Sequence, residues 1–305
     1  MILGAIFTII GLSLFEAVSS VDNAIINAEV LNTMSARARR WFLTWGMLIA
    51  VFLVRGLLPF GIIWSFNPAL SVGQIFSAAW SSNPLVVESI DKSAPILLVA
   101  GGVFLLFFFL HWLFLEDKKL GLPRTEKFFM SKGVWFYATV SVLLSIIAWF
   151  ALQESNLMGF GAVVGSTLFF ITHGFKQNAE EQEKKLLGSA HSDLSKLFFL
   201  EIIDTTFSID GVLGAFAFTL SVPLILLGNG LGAFLVRELT LRNIENIKKY
   251  AYLKNGAMYS ILVLGVVMIL HSFHFYIPEY VSPLSTIVII GFFFWKSKVE
   301  LKVPA

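Results

Sequence analysis

Between residues 12 and 30 an apolar helical pattern carries Glu16, Asp22 and Asn23. A second version between residues 200 and 217 carries Glu201, Asp204 and Asp210. Aligning Ser20-Val21-Asp22-Asn23 on Ser208-Ile209-Asp210-Gly211 puts Glu16 on Asp204, six residues before an aspartate in both copies. Carboxylates are expensive inside hydrocarbon, so five in two matching apolar segments call for a ligand. The expected ligand is a cation, held at one site in the middle of a transporter.

The donors are hard oxygens. Glu16, Asp22, Glu201, Asp204 and Asp210 supply carboxylates, with Asn23 and the hydroxyls of Ser20, Thr205 and Ser208 as helpers. Such a set suits Mn²⁺, Ca²⁺ or Mg²⁺ better than copper or zinc, which favour thiolate and imidazole. Glu16, Ser20 and Asn23 share one helix face, as do Glu201, Asp204 and Ser208. Asp22 and Asp210 fall off those faces, so either they flank the pocket or the helix unwinds near Ser-x-Asp, which Gly211 would permit. Five ionised carboxylates around one divalent cation leave a net charge of −3. Like charges raise one another's pKa, so some of the five must carry protons when the site is empty, and cation binding should release them.

Arg55 and Arg237 are candidates for a gate or a charge partner, with headgroup snorkelling as the equal alternative. Reading the carboxylates as a structural ion-pair network instead requires basic partners, and Arg55 is the one basic residue found within a span away from its ends. Glu29, toward the end of the first segment, reads equally as an entry-path ligand and a solvated charge. The five histidines (111, 173, 191, 271 and 274) fall at span ends or in loops and read as amphipathic anchors.

The elements that must position these groups are membrane spans. The chain of 305 residues is 57% hydrophobic and only 14% charged, where a soluble chain carries about 25% charged residues. Its mean hydropathy is +0.80. The class is an all-α polytopic membrane protein in contact with a lipid bilayer, and the net charge of +2 carries no nucleic-acid signal. There is no cysteine, hence no disulfide and no thiolate metal site. The start is read as a retained first span, not a signal peptide. Nine spans are expected, at 3–30, 41–64, 94–115, 133–152, 156–173, 196–220, 222–240, 251–271 and 282–296. The fifth and ninth are the weakest, being short, and the fifth is also glycine-rich (Gly159, Gly161, Gly165).

With the first connection cytoplasmic, all of the 22 basic residues except Lys92 and Arg55 fall on the cytoplasmic side. That places the N-terminus outside and the C-terminus inside. Trp41 and Trp64, Trp135 and Trp149, and Trp112 and Trp295 stand near span ends as interfacial anchors. The outer loop 67–94 contains an apolar patch at 72–80, re-entrant or interfacial, and the mixed-charge stretch 176–185 reads as a solvated helix or loop.

A second match supports duplication. Phe52-Leu53-Val54-Arg55-Gly56-Leu57 and Phe234-Leu235-Val236-Arg237-Glu238-Leu239 agree at five of six positions, each following its acidic helix. Copies starting in an odd and an even span enter the membrane from opposite faces, which makes an inverted-topology repeat with its site at the midplane. A single transmembrane domain, 1–305, then contains repeat A (1–115), an inserted helix pair (133–175), repeat B (196–271) and a final span (282–296). Spans 1–3 correspond to spans 6–8.

At these residues the chain resembles the TerC family of integral membrane proteins, in particular its DUF475 branch. The family's signatures are similar to E-x-V-x-S-x-D-N, here Glu16-Ala17-Val18-Ser19-Ser20-Val21-Asp22-Asn23, and to E-x-x-D-x-x-F-x-x-D, here Glu201 through Asp204 and Phe207 to Asp210. The resemblance implies a bacterial cytoplasmic-membrane protein related to LysE-type transporters, and associates it with manganese export and tellurite resistance. Carried over position by position, it implies Glu16, Asp22, Asn23, Glu201, Asp204 and Asp210 as the metal ligands. Better-known members have seven spans, so spans 4 and 5 are an inserted pair, and Gly211 replaces a small polar residue that often follows the second aspartate.

The expectation is a divalent-cation exporter, Mn²⁺ first, working by alternating access with proton exchange. It uses no enzyme cofactor, and the metal ion is its substrate. The alternatives are a Ca²⁺ or other divalent-cation transporter and a membrane stress or tellurite-resistance scaffold with a structural metal site. An intramembrane hydrolase with paired aspartates is disfavoured by the absence of GxGD and HExxH motifs. Oligomeric state is open.

Overall fold

A computed structural model describes residues 2–46, 49, 55–66, 70–74, 84–187 and 192–302, without the side chains of 2, 22, 23, 25, 26, 29, 55, 56, 66, 84–91, 179–187, 203, 206, 207, 237–248 and 302. Among these residues every regular element is a helix. The chain runs through α1 (Ile2–Ser19), α2 (Val21–Asn32), α3 (Ala36–Trp41), a π-helical turn (Phe42–Gly46) and α4 (Arg55–Phe66). It continues with α5 (Pro84–Leu115), α6 (Pro123–Met130), a 3₁₀ turn (Gly133–Trp135), α7 (Phe136–Glu154) and α8 (Asn156–Leu187). The last helices are α9 (Asp193–Ala215), α10 (Val222–Lys248), α11 (Leu253–Ser272) and α12 (Val281–Lys302). The all-α bundle expected from the sequence is the observed architecture.

Among the described residues, four helical stretches are long and apolar enough to cross a bilayer: Lys92–Leu115, Gly133–Glu154, Asn156–Asn178 and Leu253–Ser272. Shorter apolar helices occupy Leu3–Ser19 and Val222–Val236. The outward faces carry large apolar side chains, among them Trp149, Phe160 and Phe198, each more than 60% exposed. A face of that kind needs lipid against it, and the chain is a membrane protein. Trp41, Trp64, Trp135 and Trp295 are exposed near helix ends, as interfacial anchors should be. Trp112 departs from that expectation. It is fully buried, and the Lys118 ammonium sits 4.3 Å from its ring centroid.

The centre is built from α5, which packs most extensively on α11 and α8, while α1 packs on α10 and α12. Phe104, Phe107, Phe136 and Phe169 interlock where α5, α7 and α8 meet. α7 and α8 form a tight hairpin because Ser155 adopts an extended conformation and its hydroxyl accepts from the Met158 amide at 3.1 Å. That bond satisfies one of the donors a helix start leaves open.

Two boundaries differ most from the sequence reading, and α10 and α12 also run past their expected span ends, to Lys248 and Lys302. α5 begins at Pro84, inside the region expected to be an outer loop, and α8 runs to Leu187 through the stretch expected to be solvated. The 72–80 patch lies mostly outside the described residues. The connection 116–132 is anchored, because Glu126 is fully buried. Its Oε1 accepts from the Leu122 amide (3.0 Å), Asn255 Nδ2 (3.1 Å) and the Tyr259 hydroxyl (3.1 Å), tying α6 onto α11. Several donors converging on one carboxylate can offset its desolvation. The sequence offered no signal for this, since Glu126 looks like any other charge in a basic connection.

A candidate cation site between two buried acidic helices

Glu16 stands near the end of α1, 1% exposed. The Ser20 hydroxyl donates to its Oε1 at 2.6 Å. Helical hydrogen bonds continue across Ser20, from its amide to Glu16 O (3.1 Å) and from the Ala24 amide to its own carbonyl (2.9 Å). The interruption between α1 and α2 is therefore one residue wide. α9 passes through Asp204 and Asp210 without a break and loosens only after Ala215. Of the two geometries open from sequence, the described backbone at Asp210 takes the one without unwinding.

Three glycines let Glu16 be enclosed. A Cβ on Gly211 of α9 would stand 2.7 Å from Glu16 Oε2. One on Gly232 of α10 would stand 2.6 Å from Glu16 Cβ and 2.7 Å from the Ser13 carbonyl oxygen. One on Gly228 would meet Leu12 Cβ at 2.5 Å, and the Ser13 hydroxyl donates to the Gly228 carbonyl at 3.0 Å. Small residues at helix contacts let membrane helices approach closely. Gly211 thus has a steric role here: the Glu16 carboxylate occupies the space a side chain would need.

Asp210, next to Gly211, is 7% exposed. Its Oδ2 pairs with Lys176 Nζ of α8 at 3.1 Å, and each side chain is only 10% exposed. Its Oδ1 is buried without a hydrogen-bond partner among the described residues. Lys176 lies in the stretch read as solvated without a site function, and the structure corrects that reading at this residue. Span 5 has the length to continue into it, and the lysine stem reaches sideways so that the ammonium stands 4.4 Å from the Phe108 ring centroid.

Other sequence candidates part company. Asp210 and Glu201 are nine residues apart on one straight helix, which places them on opposite sides at about 100° per residue. Glu201 packs against Gly46 of the π-helical turn, and its Oε1 is buried without a hydrogen-bond partner among the described residues. With the exposed Thr205 it lines an apolar groove bounded by Ala38, Trp41 and Leu197. Ser208 is buried and donates back to the Asp204 carbonyl. The side chains of Asp22, Asn23, Glu29, Arg55 and Arg237 lie outside the described residues. Among those described, no three His, Asp or Glu side chains gather as a metal-ligand set. Asn229 is a further candidate the sequence reading missed. It is fully buried on α10, and neither amide atom has a partner among the described residues. Its signal was present in the Gly228-Asn229-Gly230 run, an amide flanked by glycines in an apolar segment.

Asp210 borders a cavity of 520 Å³ that also touches Ser19, Lys176, Glu116, Asp117 and Lys254. His111 and His173 both line it, in contact with each other with ring centroids 3.9 Å apart, so these two border a cavity and are not amphipathic anchors. Helical spacing conceals this, because the partners come from α5 and α8. Glu116, just past α5, pairs with Lys254 at 2.8 Å and with His111 Nδ1 at 3.7 Å. Burial works to raise its pKa, but these two partners outweigh burial and hold it at about 2. A depressed carboxylate contributes stability that is complete above its ordinary value of 4.5 and is lost as pH falls toward 2. The difference in thermal stability between the native chain and Glu116→Gln should therefore shrink between about pH 5 and pH 2. A difference that stays constant over that range would show that the carboxylate is not held this way.

A second cavity, of 610 Å³, lies at the other end of α1, where it touches Thr8, His271, His274 and Glu279. Between the levels of Thr8 and Val18 on α1 stand Leu12 and Phe15, both fully buried, with Phe15 against Phe218 and Gly214.

A family described as "Protein of unknown function (DUF475)" matches residues 21–303. No curated protein matches the chain, and no solved structure does.

Proposed function

The chain belongs to the DUF475 family, and from that premise we propose that it is a divalent metal cation transporter. The observation that carries this reading is the meeting of Glu16 and the Asp210–Gly211 segment inside a membrane bundle, with Asp210 Oδ1 without a partner among the described residues at the edge of a cavity. Buried carboxylates in a bilayer protein mark an ion path by default. The hard-oxygen set suits Mn²⁺, Ca²⁺ and Mg²⁺, and Mn²⁺ comes first on the resemblance to the TerC family, with Asp22, Asn23, Asp204 and Glu201 as further ligands in some stage of the cycle. Asn229 joins the same oxygen-donor set. The chemistry is ion movement, not catalysis.

Alternating access is supported by the two cavities at opposite ends of α1, separated by the Leu12 and Phe15 layer. The cavity at Asp210 is bordered by Glu116, Asp117 and Lys254, from connections assigned to the cytoplasm by their basic residues. Loading from that side and release outward fits export, with N-terminus outside, C-terminus inside and the cytoplasmic membrane as location. Nine spans and proton exchange complete the reading, which places the family beside the TerC and LysE-type transporters.

The inverted repeat gains support from paired contacts. Gly46 lies against Glu201, and Gly228 lies against Leu12 with its carbonyl bonded to Ser13. Ser13 and Glu201 differ by 188, Gly46 and Gly228 by 182, the same offsets that relate the acidic motifs and the two Phe-Leu-Val-Arg motifs.

Reconstituted into proteoliposomes, the protein should carry Mn²⁺ down an imposed gradient, read with an entrapped Mn²⁺-quenched dye. No flux of Mn²⁺, Ca²⁺ or Mg²⁺ above empty liposomes would reject the reading. One observation favours a second possibility, a membrane scaffold: the Lys176–Asp210 pair is the basic partner that a structural network requires.

A further inference from the structure

Lys176 is the one feature of the site whose presence a cation-binding carboxylate does not by itself call for. Its ammonium occupies Asp210 Oδ2, the same oxygen to which a bound metal would bring a second positive charge. We propose that Lys176 is a tethered counter-ion that holds Asp210 in the cation-free state, and that a divalent cation binds by displacing it. The inference rests on the reading of Glu16 and Asp210 as a cation site.

The argument is electrostatic. A bare carboxylate in a low-dielectric bundle is costly, so each carboxylate of an empty carrier needs a proton or a resident positive charge while it reorients. Lys176 supplies it from a neighbouring helix. The displaced ammonium has somewhere to go, because Lys176 lines the same cavity as Glu116 and Asp117, whose carboxylates and water can receive it. Its stem remains against Phe108 throughout. The balance depends on the charge of the incoming ion. Replacing an ammonium by a monovalent ion gains no charge at Asp210, whereas replacing it by a divalent ion gains one unit, at short range and low dielectric. Lys176 therefore lowers the affinity for both by the same displacement cost, which the extra unit of charge lets a divalent ion overcome.

The chain contains no cysteine, so a single introduced thiol can be modified selectively. In detergent, Lys176→Cys should bind Mn²⁺ more tightly by calorimetry, by about tenfold or more given the pKa-scale effect of one adjacent charge. Attaching an aminoethyl group through a methanethiosulfonate reagent restores an ammonium on a slightly longer stem and should return the affinity toward the native value. The neutral methyl adduct should not. Equal affinities for the native protein and Lys176→Cys, or equal effects of the two adducts, would overturn the inference while leaving the cation site standing. Absence of Mn²⁺ binding in every form would remove the cation site and the inference with it. The native protein provides a measurement that survives poor folding of the variant. Saturating Mn²⁺ should raise the rate of Lys176 acetylation several-fold by peptide mass spectrometry, and an unchanged rate would count against displacement.

Discussion

Asp210→Asn is expected to destabilise the bundle by about 3–5 kcal/mol, because it leaves the Lys176 ammonium buried opposite a neutral amide. In detergent this appears as an earlier thermal or denaturant transition. The same substitution is expected to abolish Mn²⁺ flux in proteoliposomes, since it removes the carboxylate that borders the cavity beside Gly211, the residue packed on Glu16. The two effects are separable. In Asp210→Asn/Lys176→Gln both charges are gone, and removal of the buried uncompensated charge should recover most of the lost stability. Flux should stay absent. If the double variant regains transport with its stability, Asp210 is a structural partner and not a ligand. If single and double variants both keep native flux, the buried pair belongs to a scaffold and the transport reading loses its central residue.

Gly165→Ala is expected to give the largest purely structural loss, about 3 kcal/mol or more, from overpacking at a backbone contact. The three atoms nearest to a Cβ at this position all belong to the Ala100 backbone, so no side-chain rotation can relieve the collision. α8 and α5 would have to separate, opening the Phe104, Phe107 and Phe169 cluster. Gly161, one turn earlier, meets Ile96 in the same way, at 2.9 Å from its carbonyl oxygen. A Cβ on Gly174 of the same helix would have nothing within 4 Å, so Gly174→Ala serves as the control and should leave stability unchanged or slightly raised. Similar transitions for Gly165→Ala and Gly174→Ala would show that α8 does not rest on α5 as closely as described.

These glycines show how a sequence signal can be present and its meaning absent. Gly159, Gly161 and Gly165 read as a weakness in the fifth span. In the folded chain Gly161 and Gly165 are the points of closest helix approach, and α8 is one of the two longest helices. Glycine lowers helix propensity locally, yet in a membrane bundle packing against a neighbour outweighs that term. Lys176 escapes sequence reasoning for a related reason. Composition around it is polar, and nothing along the chain reveals that α9 presents Asp210 to it.

What the chain determined by itself was whatever depends on local pattern. Apolar periodicity defined an all-α membrane bundle and placed most helix ends within a few residues, and the rarity of charge in apolar segments singled out Glu16 and Asp210 as buried. What only the tertiary structure decided was which of those charges meet. Helical geometry sends residues nine apart on α9 to opposite sides, so Asp210 faces Lys176 while Glu201 faces Gly46. The choice of facing helix, and with it the cavity, the His111–His173 pair and the counter-ion, follows from where small residues allow close packing. That is a property of two surfaces together, and no single segment contains it.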